Sequence, residues 1–159
     1  MSKITPHSIF KQTSSIHLTI SVFTTLIVGI CYTLRMRANG GVEPRTALNI
    51  FELLVPVLAI ASFAAAYYIG KNRYKKLSSS ANLIDKMNIY RDNNILIWST
   101  LTGSAFFAGI SFYITGQNNL LLYGLMTGVM LLYFRPLKSR AKEELNLNEK
   151  ESDQLDQIL

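Results

Sequence analysis

Four long apolar runs, almost bare of charge, govern what this chain can fold into. Ile16 to Leu34, Ile95 to Ile114 and Asn118 to Phe134 carry no charged side chain, and Ala47 to Gly70 carries only Glu52. A helix crossing a hydrocarbon core ~30 Å thick needs ~20 mostly apolar residues. The runs therefore predict spanning helices over 16–34, 47–70, 95–114 and 118–134. The last is the shortest and needs its polar start, or some thinning of the bilayer, to reach across. A β-barrel is excluded, because barrel strands alternate over ~10 residues instead of running apolar throughout. With 49% apolar and 16% charged residues, the chain also falls below the ~25% charged share of a soluble domain.

The first run is too long for the apolar part of a secretory signal, ~7–15 residues, and ends in Leu34-Arg35-Met36-Arg37 without a small-residue cleavage site. It reads as an uncleaved anchor. Val28-Gly29-Ile30-Cys31 loosely resembles a lipoprotein signal, but Ile30 is too large for the position before the cysteine. Cys31 is the only cysteine, so no intrachain disulfide, CxxC pair or Cys/His metal cluster can form.

Lys and Arg in short loops set orientation. Thirteen of them fall in the N-terminal segment, the loop between the second and third runs and the C-terminal tail, and three in the other two loops. Both termini are thus expected in the cytoplasm, with the chain in a bacterial inner membrane. The net charge of +6 flanks the apolar runs and forms no nucleic-acid-binding module. Tyr67, Tyr68, Tyr74, Trp98, Tyr113, Tyr123, Tyr133 and Phe134 mark the run edges, where amphipathic rings meet headgroups.

The expected architecture is all-α: a four-helix transmembrane bundle of two antiparallel hairpins over 16–134. It follows a cytoplasmic segment over 1–15 and precedes a cytoplasmic tail over 135–159. Within linker 71–94, Leu77, Ala81, Ile84, Met87 and Tyr90 recur at helical spacing and predict an amphipathic helix on the inner surface, with Ser78, Ser79 or Ser80 as its cap. In the tail, Asn148 with Glu151 reads as a capping pair that opens a short helix, expected to be solvated. Small residues let spanning helices approach closely. Gly124 and Gly128 in the fourth run, and Ser99 and Gly103 in the third, are the candidates for packing within the bundle or between copies.

Glu52 is the one residue whose chemistry stands out, since a carboxylate within a span is costly. Pro56 lacks the N–H that would bond the carbonyl of residue 52. Glu52, Pro56 and Asn49 could therefore hold a proton or cation at a kink. Alternatively Glu52 reaches headgroup water, or pairs with Arg35, Arg37 or Arg45. His7 and His17 are the only histidines, and no triad, HExxH, P-loop or dinucleotide turn is present. No catalytic set, cofactor or metal is expected. The size also suits a proteolipid rotor subunit, but the glycines are scattered and the acid lies near a run edge.

Tyr90-Arg91, Thr115-Gly116-Gln117, Arg135-Pro136 and Leu145-Asn146-Leu147-Asn148-Glu149 together resemble a group of small bacterial four-span proteins with no assigned activity, over about residues 50–150. The resemblance implies the four-span topology and no reaction. Members often carry an acid near the start of the third span, where this chain has Trp98, Ser99 and Thr100. The function expected is that of a non-enzymatic bundle acting through self-assembly or a membrane partner; the alternative is a small transporter or channel subunit using Glu52.

Overall fold

The computed structural model describes residues 5–38, 50–75 and 81–156. Six helices and no strand are found among them: α1 (Pro6–Ala38), α2 (Ile50–Lys75), α3 (Leu83–Thr115), α4 (Asn118–Tyr133), α5 (Lys138–Glu144) and α6 (Glu149–Asp156).

Local chemistry sets the helix ends. Pro6 takes the first position of α1, where its missing N–H costs nothing. Thr5 and Ser8 cap each other there, Ser8 N–H to Thr5 Oγ1 at 3.2 Å and Thr5 N–H to Ser8 Oγ at 3.0 Å. Asn82 caps α3 through its side chain, and Asp85 follows in the first turn, where a carboxylate meets the positive helix end. At its other end α3 stops on Gly116, left-handed at φ 74°, whose N–H returns to the Phe112 carbonyl at 2.7 Å. Asn148 and Glu151 form the expected capping pair of α6, with reciprocal bonds of 2.9 and 3.0 Å.

Two expectations are corrected. Among the described residues, the linker over 71–94 holds no separate amphipathic helix: α2 continues to Lys75, and α3 begins at Leu83 and runs unbroken through the third apolar run. The expected Ser78–Ser80 cap lies outside the described residues, and α3 is capped by Asn82 instead. Met87 and Tyr90 share the helix phase of Ile97 and Leu101, so nothing in the sequence breaks the helix between them. The described part of the tail, in turn, docks on the bundle through a few buried residues. Leu155 of α6 is fully buried, in a cluster with Ile9 of α1, Leu83, Met87 and Tyr90 of α3, and Ala141 and Leu145.

α3 is the central column. α1, α2 and α4 each pack along it, and α1 lies mainly against α3 instead of its sequence neighbour α2. The contacts fix the directions. Ile9 meets the start of α3, His17 meets Trp98, Thr24 meets Thr102, and Arg35 meets Tyr113, so α1 and α3 run the same way. Val55 packs with Phe112 and Leu120, while Ala66 packs with Trp98 and Leu131, so α2 and α4 run opposite to α3. Three clusters stack along the column, the first of them formed largely by residues beyond the apolar runs.

The exterior is apolar, unlike that of a water-soluble bundle. Leu18, Leu26, Leu53, Ile60, Leu125, Val129 and Leu132 lie on the outside, each more than half exposed, while Thr13, Thr24, Ser111, Thr115 and Thr127 are buried. These hydroxyls donate to carbonyls of their own helices at 2.7–2.9 Å. In α1, Thr19 and Thr25 do the same. Such bonding lets polar residues sit where no water reaches. The core is itself apolar, built on Trp98, Leu101, Phe112, Leu120 and Leu131, so these helices carry apolar side chains on both their inner and outer faces.

Candidate functional site

The first end to consider holds the α3–α4 turn. Glu52 lies in the first turn of α2, exposed, and its carboxylate accepts a hydrogen bond from Gln117 Nε2. α2 continues through Pro56 without interruption. Asn49 lies outside the described residues, as do Thr46 and Arg45. Of the three residues expected to form an ion site, the structure therefore describes Glu52 and Pro56, and it ties Glu52 across the bundle to the turn. Glu52 sits before the charge-free stretch Leu53–Gly70, not within it.

The same turn is clamped by Arg35, which the sequence presents as a loop charge and a candidate partner of Glu52. Arg35 belongs to the last turn of α1 and is 5% exposed, and its Nη1 donates to the Tyr113 carbonyl at 3.5 Å. Its guanidinium crosses so close to Gly116 that a Cβ there would lie 2.8 Å from Cζ. Gly116 is favoured by its left-handed backbone, and any side chain there would also have to displace the Arg35 guanidinium. No sequence signal separates a clamped arginine from a solvated one just beyond a membrane run.

The opposite end is built on the end of α4. A helix leaves its last carbonyls without helical donors, and near hydrocarbon each needs another. Here Pro136 ends the helical path and α5 turns away from α4 by 77°. The carbonyl of Leu132 accepts from Arg135 N–H at 3.3 Å. That of Leu131 accepts from His17 Nε2 at 2.9 Å, which requires the proton on that nitrogen. That of Tyr133 accepts from Arg140 Nη1 at 2.9 Å, and that of Phe134 from Trp98 Nε1 at 3.0 Å. The His17 and Trp98 rings also meet edge to face, with centroids 4.8 Å apart. Trp98 is fully buried in this role, not placed at a headgroup belt as the run edges suggest.

Beside this seam lies a cavity of about 310 Å³ between the ends of α2 and α4, the side of α3 at Asn94 and Ile97, and the α5 helix. Lys71 and Arg140 line it, each over an aromatic ring: Lys71 Nζ is 5.8 Å from the Tyr67 centroid, and Arg140 Cζ is 5.1 Å from that of Tyr133. Farther along, Lys86 and Glu151 pair at 2.7 Å with little exposure and tie α6 to α3. Burial alone would raise the Glu151 carboxyl, but hydrogen bonds from Lys86 and the Asn148 N–H, with the Lys86 charge, hold it below its ordinary value.

The four packing candidates separate. Gly124 is buried against Ala108, the Ala105 carbonyl and Val28, where α4 meets α3 and α1. Gly128 and Gly103 would carry a Cβ into open space, and Ser99 is exposed. Gly109, unremarked in the sequence, sits where α1 presses on α3, and a Cβ there would lie 3.5 Å from Cys31 Sγ. Ala105-x-x-x-Gly109 is the spacing that could have pointed to it.

Taken together these features define a helical protein with three helices, α1, α2 and α3, long and apolar enough to cross a membrane. A fourth crossing is available if the bent pair α4–α5 is taken as one span. No protein-family model, curated protein or solved structure matches the chain. Among the described residues no cluster of His, Cys, Asp and Glu could hold a metal ion.

Proposed function

We propose that this is a four-span integral protein of a bacterial inner membrane with both ends in the cytoplasm, acting without enzymatic chemistry by assembling with itself or with a membrane partner. The observation that carries the reading is the placement of charge. α1 is charge-free from Gln12 to Leu34, α2 from Leu53 to Gly70, α3 from Asn93 to Ile114, and α4 throughout. These stretches lie side by side, and the charged groups collect at the two ends. The basic residues concentrate at the end holding α5, α6 and the starts of α1 and α3, the pattern of an inner face. α4 is about 24 Å long by its rise per residue, so its crossing uses the polar turn at one end and the α5 bend at the other.

α1 and α3 have 33 residues each, or about 50 Å, and outreach a ~30 Å core. Their excess, with α5 and α6, forms a small head with its own buried cluster, well suited to present a surface to a partner. Glu52 is read as a structural tie to Gln117. The transport alternative predicts that Glu52→Gln abolishes an ion flux in liposomes; a structural tie predicts no change in flux. The direct test of assembly is the mass of the protein in nanodiscs. A species larger than one copy, or one that retains a second membrane protein, supports the proposal. A lone monomer with no retained partner contradicts it.

A further inference from the structure

We propose that the cavity between the inner end of α2 and α5 binds the phosphate of an anionic phospholipid headgroup. The inference rests on the proposed orientation, which puts this end of the bundle at the inner leaflet, where anionic lipids gather.

Two cations converge on the cavity, Lys71 from α2 and Arg140 from α5, and neither pairs with a carboxylate among the described residues. Arg140 is held in place: one N–H is fixed on the Tyr133 carbonyl, and the guanidinium lies over that residue's ring. A guanidinium so placed still has donors in a planar fork that suits phosphate oxygens. Glu144 also lines the cavity, so its charged lining is two cations against one carboxylate.

Size and setting favour a lipid as the carrier. At about 310 Å³ the cavity is near the lower limit for small-molecule sites, room for a headgroup and not for acyl chains. Tyr67 and Tyr133 line it while remaining 64% and 63% exposed, as interfacial rings do, and the exposed apolar face of α4 continues from Tyr133 through Leu132. A phosphate seated between the cations would have its chains on that face.

The built-in probe is Trp98, the single tryptophan, which donates to the carbonyl of Phe134, a cavity residue. Purified full-length protein in detergent is titrated with short-chain phosphatidylglycerol, with phosphatidylcholine of the same chain length, and with inorganic phosphate, reading Trp98 fluorescence and, in parallel, bound lipid by native mass spectrometry. The expected result is saturable binding of phosphatidylglycerol, at least tenfold tighter than either other ligand. Lys71→Gln and Arg140→Gln each weaken it about fivefold or more, the scale of one basic residue near a membrane surface. Lys150→Gln, the same charge loss on α6 away from the cavity, leaves it unchanged. Lys71 is exposed, so its variant keeps the test valid if Arg140→Gln fails to fold. Equal binding of phosphatidylcholine overturns the proposal, because recognition would then lie in the chains. Equal binding of inorganic phosphate assigns the cavity to a soluble anion and overturns it too. An equal loss in Lys150→Gln, or no bound lipid by either readout, does the same. Carbonate extraction of membranes separates this from the parent reading. Protein that stays with the membrane but binds no lipid sinks the inference alone, and protein released by carbonate sinks the membrane assignment.

Discussion

Replacing Leu155 with alanine tests whether α6 is held to the bundle by the contacts described. α6 has eight residues, too few to persist alone in water. It is fixed by burial of Leu155, which is fully enclosed, and by the Lys86–Glu151 pair. Truncating a buried leucine costs about 2–5 kcal/mol in transfer and cavity terms. The lower part of that range, about 2–3 kcal/mol, applies to a short terminal helix that can settle into the gap. Since 1.4 kcal/mol is a factor of ten, the undocked population should rise about 30- to 150-fold. Hydrogen exchange in nanodiscs reads this directly. The Ser152 amide, bonded to the Asn148 carbonyl at 2.9 Å, and its α6 neighbours should exchange faster by that factor. Amides of α3 between Leu101 and Phe112 should not change. Unaltered exchange in α6, or equal acceleration in α3, would refute the claim that α6 docks locally through Leu155.

Other expectations follow from the same contacts. Gly116→Ala should lower the unfolding temperature in detergent: the left-handed backbone alone costs about 1–2 kcal/mol, and the added Cβ meets the Arg35 guanidinium. Gly124→Leu should destabilise by about 1–3 kcal/mol through overpacking against Ala108 and Val28, whereas Gly128→Leu should be tolerated by the single chain. If Gly128→Leu instead lowers the assembled mass, that face is used between copies. Acid should release the tail. The Glu151 carboxyl is lowered in the folded state, so its contribution is present above the ordinary carboxylate range and is lost as pH falls through the folded value. Limited proteolysis should therefore begin cutting α6 only as pH falls below the ordinary carboxylate range, and Glu151→Gln should weaken that pH dependence.

The long apolar helices were legible because unbroken charge-free runs of that length leave few alternatives to helix. The capping pair Asn148–Glu151 was legible because it is a three-residue rule. Contacts between distant segments were not. His17 bonds a carbonyl 114 residues away, and nothing around His17 distinguishes it from any histidine at a membrane edge. Trp98 reads as an interfacial ring, yet its indole N–H is consumed by the end of α4. The 71–94 stretch misled because Ile84, Met87 and Tyr90 belong to α3, whose phase continues into the third apolar run. Glu52 drew notice as the only acid in a run. Its partner Gln117 could not be inferred without knowing that the start of α2 lies beside the α3–α4 turn.

The central claim is that four helices cross the membrane with the α5–α6 end inside, and α4 is its most exposed step. Single cysteines placed at Asn119, exposed at the start of α4, and at Glu149, exposed at the start of α6, decide it in a Cys31→Ala background. Each is treated with a membrane-impermeant maleimide in intact cells or right-side-out vesicles. The account predicts labelling at position 119 from outside and at position 149 only after permeabilisation. Labelling of both positions from the same side would show that α4 does not cross, and labelling of 149 alone from outside would invert the topology.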